Sequence, residues 1–167
     1  MTNTVRCVSP VNGELYAERP LTPDAEVDAA IAAAKAAQAE WKRLPVFERA
    51  RYCGAAVDAM RSMRDEIVPE LAWQMGRPVK YGAGELRGFE ERARHMIDIA
   101  DVALARIHPL PKENFRLWIT RVPLGLIFVI APWYYPFLTA VNSIVPALMA
   151  GNAVILKPPA QTLLLVH

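Results

Sequence analysis

The stretch that decides the fold is PLGLIFVIAPWYYPFLTAVNSIVPALMAGNAVILKP, residues 123–158. Between Arg121 and Lys157 the chain carries no charged side chain. Such a run is either a membrane segment, which needs about 20 consecutive apolar residues, or the core of a parallel sheet with its crossover helix. Prolines divide it at Pro123, Pro132, Pro136 and Pro146. Because proline lacks a backbone donor and disturbs the preceding turn, each one tends to begin or end an element, and we predict a soluble β-α-β unit.

The pieces between the prolines have the lengths and compositions of strand, turn, helix and strand. Residues 125–131 (GLIFVIA) form a continuous β-branched and aromatic run, which is typical of a strand buried on both faces. Residues 132–136 predict a turn, and residues 137–150 predict a helix that Gly151-Asn152 ends. Residues 153–156 predict a second strand, which a crossover of this kind makes parallel to the first.

Length and composition fit a globular domain and exclude several classes of protein. The 167 residues suffice for one core, and 53% of them are hydrophobic. Because the net charge is only +2, we predict neither nucleic-acid nor membrane partners. The two cysteines, Cys7 and Cys53, are too few for a disulfide framework and fit the reducing cytoplasm. Met1 to Arg6 is polar, so we expect no signal peptide there.

The part of the chain before the charge-free run is predicted to be an arm followed by helices. Residues 1–21 have the composition of an irregular arm, with Asn12-Gly13 as a hairpin candidate. Thr22-Pro23-Asp24 predicts a helix start, with Thr22 as N-cap and Pro23 at the first helical position. Three further helices are predicted: one from near Pro45, one that ends at Met75 and one over residues 84–105.

Residues 115–121 (FRLWITR) alternate apolar and polar side chains at most positions, Trp118 being the exception. This pattern predicts a strand with one exposed face. The β-α-β unit that follows supplies only two parallel strands. Such a sheet is not a finished domain, because parallel sheets need more strands and helices on both faces. We therefore interpret the chain as a truncated protein whose last domain is cut after two strands.

Several motifs match the pattern of a known family. They are Pro132-Trp133-Tyr134-Tyr135-Pro136; Pro146-Ala147-Leu148 with Gly151-Asn152-Ala153-Val154 and Lys157-Pro158; and, upstream, Ser9–Glu14, Trp41 with Glu48–Ala50, and Gln74–Pro78. At this spacing they resemble the aldehyde dehydrogenase superfamily, which carries Pro-Trp-Asn-aromatic-Pro and then Pro-Ala-Leu-x-x-Gly-Asn-x-Val-x-x-Lys-Pro. The resemblance covers nearly the whole chain and implies an N-terminal fragment, or a naturally truncated relative, of an aldehyde dehydrogenase.

The resemblance implies an α/β fold in which an N-terminal helical segment packs on an incomplete, Rossmann-like parallel sheet. It divides the chain into three parts: the arm and helices of the cofactor-binding domain over residues 1–111, a strand of the oligomerisation hairpin over residues 112–122, and the first β-α-β of the dinucleotide-binding sheet over residues 123–167. The implied activity is oxidation of an aldehyde to a carboxylic acid with NAD or NADP. The full-length form is expected to be a cytoplasmic homo-oligomer.

The resemblance also implies a cofactor site. The residues expected in it are Ile130, Ala131, Pro132, Trp133, Lys157 and Ala160. The first four would shape the cleft at the carboxyl end of the first strand, where open α/β sheets bind ligands, while Ile130 and Trp133 are also core candidates. Lys157 would hydrogen-bond the adenosine ribose. Ala160 stands where NAD-preferring members have a glutamate that repels a 2′-phosphate, so alanine removes a barrier to NADP. No metal site is predicted.

Tyr134 stands where the family has its oxyanion-hole asparagine. The amide of that asparagine would donate a hydrogen bond to the oxygen that becomes charged during the reaction. Losing one such donor typically costs about 10²–10³ in rate. The resemblance further implies a substrate tunnel lined by Tyr135, Leu138, Thr139 and Asn142.

The family's nucleophilic cysteine, general-base glutamate and glycine-rich cofactor turn all follow the point at which this sequence ends. Cys7 and Cys53 lack the nucleophile's context, so we expect ordinary thiols at both positions. The chain as given is therefore expected to be inactive and to bind the cofactor weakly or not at all. Two alternatives stay open: a non-catalytic interaction subunit that pairs with full-length relatives and, less favoured, a membrane hairpin.

Overall fold

The structure is a computed structural model and describes residues 3–164. Its elements in chain order are β1 (Thr4–Val8), β2 (Leu15–Pro20), α1 (Asp24–Trp41), α2 (Val46–Ser62), α3 (Arg64–Met75), α4 (Val79–Asp98), α5 (Ala100–Leu104), β3 (Leu126–Ile130), α6 (Pro136–Met149), β4 (Ala153–Lys157) and a 3₁₀ turn (Ala160–Thr162). Strands β1 and β2 form one two-stranded sheet, and β3 and β4 form another.

The N-terminal arm is a β-hairpin rather than an irregular segment. Strands β1 and β2 pair antiparallel, and Gly13 adopts a positive φ of 76° in the connection between them. The hairpin predicted at Asn12-Gly13 is confirmed, whereas the prediction of an irregular arm was wrong. Cys7 and Ala17 are partners across the ladder, and both are buried, so packing stabilises two strands that are too short to give a clear sequence pattern.

Helix α1 begins one residue later than the sequence predicts. Pro23 is its N-cap, in extended geometry with φ −62° and ψ 150°, and Thr22 makes no capping hydrogen bond. The carbonyl of Pro23 accepts from the N–H groups of Glu26 and Val27, at 2.9 and 3.1 Å. The prediction of Thr22 as N-cap and Pro23 as the first helical residue was therefore wrong by one position.

The helix predicted over residues 84–105 is in fact two helices. Helix α4 begins at Val79, directly after Pro78, and Ile99 separates it from α5 with φ −82° and ψ −9°. Ile99 is 45% exposed, whereas the next residue, Ala100, lies in the core. The regular apolar spacing of the sequence runs across this break, and for that reason the pattern could not show it.

Residues 115–121 do not form the predicted strand. They make an isolated antiparallel bridge between Ile107 and Ile119, with N–H to carbonyl distances of 3.0 and 2.8 Å, and Phe115 bridges to Lys112. Pro109 and Pro111 lie in the segment that would have to pair with such a strand, and because proline has no N–H it cannot donate to a ladder. The alternating pattern is real, but its pairing partners are missing among the described residues.

The predicted β-α-β unit and the α/β fold class are confirmed. Strands β3 and β4 are parallel, in a register that runs from Leu126 opposite Ala153 to Ile130 opposite Lys157. Asn152 joins the three elements of this unit. Its Oδ1 accepts from the N–H of Gly125 at 2.8 Å, and its Nδ2 donates to the carbonyl of Ala147 at 3.0 Å.

The helices pack through two apolar clusters. The larger includes Cys53 and Val57 of α2, Ala93 of α4, and Val141, Val145 and Met149 of α6. The smaller joins α3 to α4 through Ile67, Val68, Leu71 and Leu86. Helices α1 and α6 also lie against the strands β3 and β4. The parallel sheet thus packs against α1 and against the crossover helix α6.

Side chains of α1 and α2 hold the C-terminal end of α6. Gln38, Trp41 and Arg49 donate side-chain N–H groups to the carbonyls of Gly151, Leu148 and Met149, respectively, each at 2.9 Å. The last carbonyls of a helix have no partner within the helix itself. These donors therefore bind carbonyls at and just after the end of the helix, and they fix α6 and the start of β4 to the N-terminal helices.

Among residues 3–164, no helix is both long and apolar enough to cross a membrane. The charge-free run is divided between β3, the 14-residue α6 and β4. The structure therefore gives no support to the membrane-hairpin alternative.

Candidate functional site

The carboxyl end of the parallel sheet brings two of the expected cofactor residues side by side. Ile130 and Lys157 are the last residues of β3 and β4 and are partners in the ladder. The N–H of the next residue, Ala131, donates to the carbonyl of Lys157 at 3.1 Å. Lys157 is exposed and Ile130 is 67% exposed, whereas Ala131 is buried. An apolar surface and an ammonium group thus share the edge at which open α/β sheets bind ligands.

A turn of aromatic residues follows β3 at the same edge. The rings of Trp133 and Tyr134 meet edge to face, with centroids 5.8 Å apart and planes at 86°. Trp133 is 48% exposed and Tyr134 is 52% exposed. The expectation that Ile130 and Trp133 belong to the core was therefore wrong for the described chain, because both side chains face outward at the open end of the sheet.

Tyr135 ends this turn in a strained backbone conformation. It is the N-cap of α6 and has φ 48° and ψ 56°, the left-handed region that residues other than glycine rarely adopt. Such a conformation costs on the order of 1–3 kcal/mol and persists only where its surroundings hold it. The guanidinium of Arg77 lies over the Tyr135 ring, 4.0 Å from its centroid.

A buried ion pair lies next to Tyr135, and it was not predicted from the sequence. Arg77 Nη1 donates to Glu85 Oε2 at 2.7 Å, and the Glu85 side chain is fully buried. Glu85 Oε1 accepts from the N–H of Phe137, in the first turn of α6, at 3.0 Å. Burial raises the pKa of Glu85, while the Phe137 N–H and the Arg77 charge act in the opposite direction.

A signal for Glu85 was present in the sequence. Helix α4 buries Gly82, Leu86 and Ala93 along one side, and Glu85 is buried with them. A lone carboxylate on an apolar stripe needs a partner, because burying an unpaired charge is costly. Arg77 lies in the matching motif Gln74–Pro78, and nothing in the spacing alone shows that these two side chains meet.

The four expected substrate-tunnel residues lie at the N-cap and in the first two turns of α6. Thr139 Oγ1 donates to the carbonyl of Tyr135 at 2.7 Å, and Asn142 Nδ2 donates to the carbonyl of Leu138 at 3.3 Å. Leu138 packs against α4 at Gly88, where an added Cβ would lie only 2.9 Å from Leu138 Cδ1. Leu138 therefore faces α4, whereas Asn142 is exposed.

Two cavities border the aromatic turn. One, of about 290 Å³, is almost entirely apolar and is lined by residues that include Met60, Phe89, Ala131, Phe137, Leu156 and Pro159. The other, of about 520 Å³, lies on the side of Arg77 and is lined by Gly76, Pro78, Tyr81, Glu85 and Tyr135 as well. Ala160, half-buried, begins the 3₁₀ turn that follows β4.

Both cysteines are buried free thiols, and burial raises the pKa of each. Cys7 Sγ donates to the carbonyl of Gln161 at 3.3 Å, and Cys53 lies in the larger apolar cluster. Nucleophilic cysteines need the opposite shift, towards the thiolate. Residues 3–164 also hold no group of three or more His, Cys, Asp or Glu side chains that could bind a metal ion.

Comparison with known protein families identifies the family to which this chain belongs. The model of the aldehyde dehydrogenase family matches residues 1–166. The chain belongs to the aldehyde dehydrogenase family. The match includes the strand ends, the aromatic turn and α6, so the geometry described above is that of a family member.

Relatives of known activity extend far beyond this chain. The 3,6-anhydro-alpha-L-galactose dehydrogenase of Streptomyces coelicolor is 35% identical over 162 residues, which are 95% of this chain and 32% of the relative. The NAD⁺-dependent benzaldehyde dehydrogenase of Pseudomonas putida is 34% identical over 155 residues, 93% of this chain and 32% of the relative.

A solved structure gives the same picture. The NADP-dependent glyceraldehyde-3-phosphate dehydrogenase of Bacillus halodurans, complexed with NADP, superposes with a TM-score of 0.84 at 28% identity. The superposition covers 95% of this chain and 34% of that aldehyde dehydrogenase relative. The chain thus spans about a third of the length of the family members that it matches.

Proposed function

We propose that this chain supplies one side of the cofactor cleft of an NAD(P)-dependent aldehyde dehydrogenase, which oxidises an aldehyde to a carboxylic acid. The observation that carries this proposal is the pairing of Ile130 with Lys157 at the open carboxyl end of a parallel sheet. In an open α/β sheet this end is where dinucleotides bind. Membership of the aldehyde dehydrogenase family supplies the reaction class.

The residues at this edge fit part of a dinucleotide. The exposed Lys157 ammonium is a flexible donor suited to ribose hydroxyls. Ile130, Pro132 and Trp133 offer an exposed apolar and aromatic wall beside it, with Ala131 behind them. When bound, the nicotinamide of NAD or NADP accepts a hydride. The relatives named above use NAD⁺ in one case and NADP in another.

Ala160 bears on the choice between the two cofactors. Its methyl group presents no negative charge, so nothing at this position repels a 2′-phosphate. It does not itself bind that phosphate. We propose that NADP is tolerated alongside NAD and that neither is excluded at this position.

Tyr134 sets the chemistry at the substrate end. Tyr134 is 52% exposed, and its ring meets the Trp133 ring edge to face. A phenol donates a hydrogen bond from several ångströms farther along the side chain than an asparagine amide does. We propose that an enzyme with Tyr134 is slow, with Tyr135, Leu138, Thr139 and Asn142 lining the approach of the aldehyde.

Residues 1–167 alone are proposed to be inactive and to bind the cofactor weakly. The reaction needs a cysteine thiolate as nucleophile, and the thiols of Cys7 and Cys53 are buried, with a raised pKa. At full length we propose a cytoplasmic homo-oligomer. The exposed apolar side chains at Leu110, Trp118 and Leu124, in the segment after α5, support an assembly surface there.

A chimera tests the proposed function. Residues 1–164 would be joined to the part of the Pseudomonas putida benzaldehyde dehydrogenase that follows the matching segment. Aldehyde-dependent formation of NADH or NADPH is expected, and Tyr134→Asn should raise kcat by about two to three orders of magnitude. A soluble chimera that is inactive in both versions would contradict the function. Equal rates for both versions would contradict the role given to Tyr134.

A further inference from the structure

We propose that Arg77 and Glu85 are positioning residues, which hold the aromatic turn over residues 133–135 in place between the sheet and α6. The inference rests on the proposed function, because the position of this turn matters only where it borders a cofactor and substrate cleft. It goes beyond that function by assigning a role to a buried ion pair that touches neither expected ligand.

The two carboxylate oxygens of Glu85 accept hydrogen bonds from two different parts of the chain. Oε2 accepts from Arg77 Nη1 at 2.7 Å, and Oε1 accepts from the N–H of Phe137 at 3.0 Å. The Phe137 N–H belongs to the first turn of α6, where backbone donors have no partner within the helix. One carboxylate therefore connects an arginine from the loop before α4 to the backbone directly after the turn.

Arg77 contacts the aromatic turn directly, through the ring of Tyr135. While Nη1 binds Glu85, the guanidinium plane lies over the ring of Tyr135, 4.0 Å from its centroid. Arginine can make both contacts at once because its donors lie in a plane whose face stacks on aromatic rings. Its side chain is only 11% exposed, so water competes little with either contact.

The contacts of Arg77 and Glu85 lie at and just after the strained backbone of Tyr135 in sequence: one is to the ring of Tyr135 and the other is to the N–H of Phe137. Tyr135 has a left-handed backbone, with φ 48°, and its carbonyl also accepts from Thr139 Oγ1 at 2.7 Å. A strained backbone is kept only when its surroundings over-determine it. Arg77 acts on the ring of Tyr135 and Glu85 on the N–H two residues later. The pair therefore fixes the backbone that presents Tyr134.

The test uses hydrogen–deuterium exchange of single amides in the soluble chimera described above, in which the open sheet is covered. The variant Arg77→Met/Glu85→Gln removes both charges together, so that no unpaired charge is left in the interior. The Phe137 amide should exchange at least about tenfold faster than in the wild type, as expected for losing a charged acceptor. The amide of Val145, deeper in α6, should stay within about twofold.

A matched control removes an arginine pair elsewhere on the same helix. Arg94→Met breaks the contacts of Arg94 with Glu90 and Asp58, at 2.9 and 2.6 Å, and should leave both amides unchanged. Unchanged Phe137 exchange in the double variant would overturn the proposal. Equal acceleration at Phe137 and Val145 would also overturn it, because the pair would then only stabilise the fold.

The chimera described above supplies the functional readout. The double variant should lower kcat by about ten- to a hundredfold, since a small misplacement of reacting groups is costly, and should leave the KM for the cofactor unchanged. An unaltered kcat with faster Phe137 exchange would overturn the positioning role. If the wild-type chimera has no activity, the proposed function fails, while the exchange experiment still decides whether the pair holds the turn.

Discussion

At the scale of single residues, Glu85 is a buried carboxyl group whose pKa departs from its ordinary value. Its side chain is fully buried, and burial raises its pKa above the usual value of 4.5. A carboxyl with a raised pKa binds a proton in the folded state at pH values where the unfolded chain has already released it. The stability that it contributes is therefore fully present below pH 4.5 and is lost as the pH rises through the folded-state pKa.

Glu85→Gln should remove this pH dependence. We expect the unfolding free energy of the wild type, relative to the variant, to fall as the pH is raised from about 4.5 through the raised pKa. Urea unfolding of both proteins at a series of pH values measures the difference, in which other carboxyl groups cancel. A difference that stays constant, or that grows in favour of the wild type, would show that burial does not dominate at Glu85.

Residue identity alone explains part of the site and misses the rest. Lys157 and the turn from Pro132 to Pro136 could be located from the sequence, because strand ends and prolines mark them directly. The left-handed backbone of Tyr135 could not, since neither its residue type nor its neighbours demand a positive φ. The Arg77–Glu85 contact joins two residues eight positions apart across a loop, and only the folded chain brings them together.

At the scale of elements, α6 depends on donors from the N-terminal helices. Arg49 is buried and donates from Nε to the carbonyl of Met149 at 2.9 Å and from Nη1 to the carbonyl of Leu44. Arg49→Met should lower the unfolding free energy by about 2–4 kcal/mol, because buried carbonyls lose charged donors.

Arg51→Met is the matched control for Arg49→Met in the same helix. The Arg51 side chain is 65% exposed, forms a salt bridge with Glu48 and lies over the ring of Tyr52, so its loss should change stability by less than about 1 kcal/mol. Denaturant unfolding of both variants gives the comparison. Similar losses of unfolding free energy in the two variants would show that the buried hydrogen bonds of Arg49 stabilise the fold no more than an exposed salt bridge does.

Two glycines of α4 should respond in opposite ways to substitution by alanine. An added Cβ at Gly82 would lie 2.8 Å from Val68 Cγ1, in a β-branched side chain that cannot easily move, whereas the nearest atom at Gly84 would be 3.6 Å away. Gly82→Ala should destabilise the fold by about 1–3 kcal/mol. Gly84→Ala should stabilise it by roughly 0.5–1 kcal/mol, through better helix propensity. Thermal unfolding measures both effects. A shift of the melting temperature in the same direction for the two variants would contradict this prediction.

Elements with strong local signals were predictable, and those that depend on distant partners were not. The β-α-β unit follows from prolines and a continuous apolar run, and its boundaries agree with the structure to within about one residue. The prediction of a strand at residues 115–121 was wrong, because alternating side chains do not show whether a neighbouring segment can donate backbone hydrogen bonds. The break between α4 and α5 at Ile99 was not predicted, because the apolar spacing continues across it.

At the scale of the whole molecule, the described chain leaves much apolar surface uncovered. Phe128 on β3 is 60% exposed, and Val122 and Leu124, just before that strand, are 77% and 88% exposed. The sheet of β3 and β4 has only these two strands among the described residues. Open strand edges beside apolar patches favour pairing with other chains.

The isolated chain should therefore self-associate. At micromolar concentration, size-exclusion chromatography should give aggregates or a mixture of oligomers. Salt should not disperse them, because the exposed surface is apolar and carries little charge. A single sharp monomer peak would contradict this expectation and would mean that the open sheet is covered by this chain itself.

The central claim is that this chain contributes the ribose side of an NAD(P) cleft through Lys157. Calorimetric titration of NAD and NADP into the chimera and its Lys157→Met variant tests this claim, with Lys35→Met on the exposed face of α1 as the charge-matched control. We expect micromolar binding by the chimera and by the control, and at least about tenfold weaker binding by Lys157→Met. Equal affinity of the Lys157→Met and Lys35→Met variants would contradict the account.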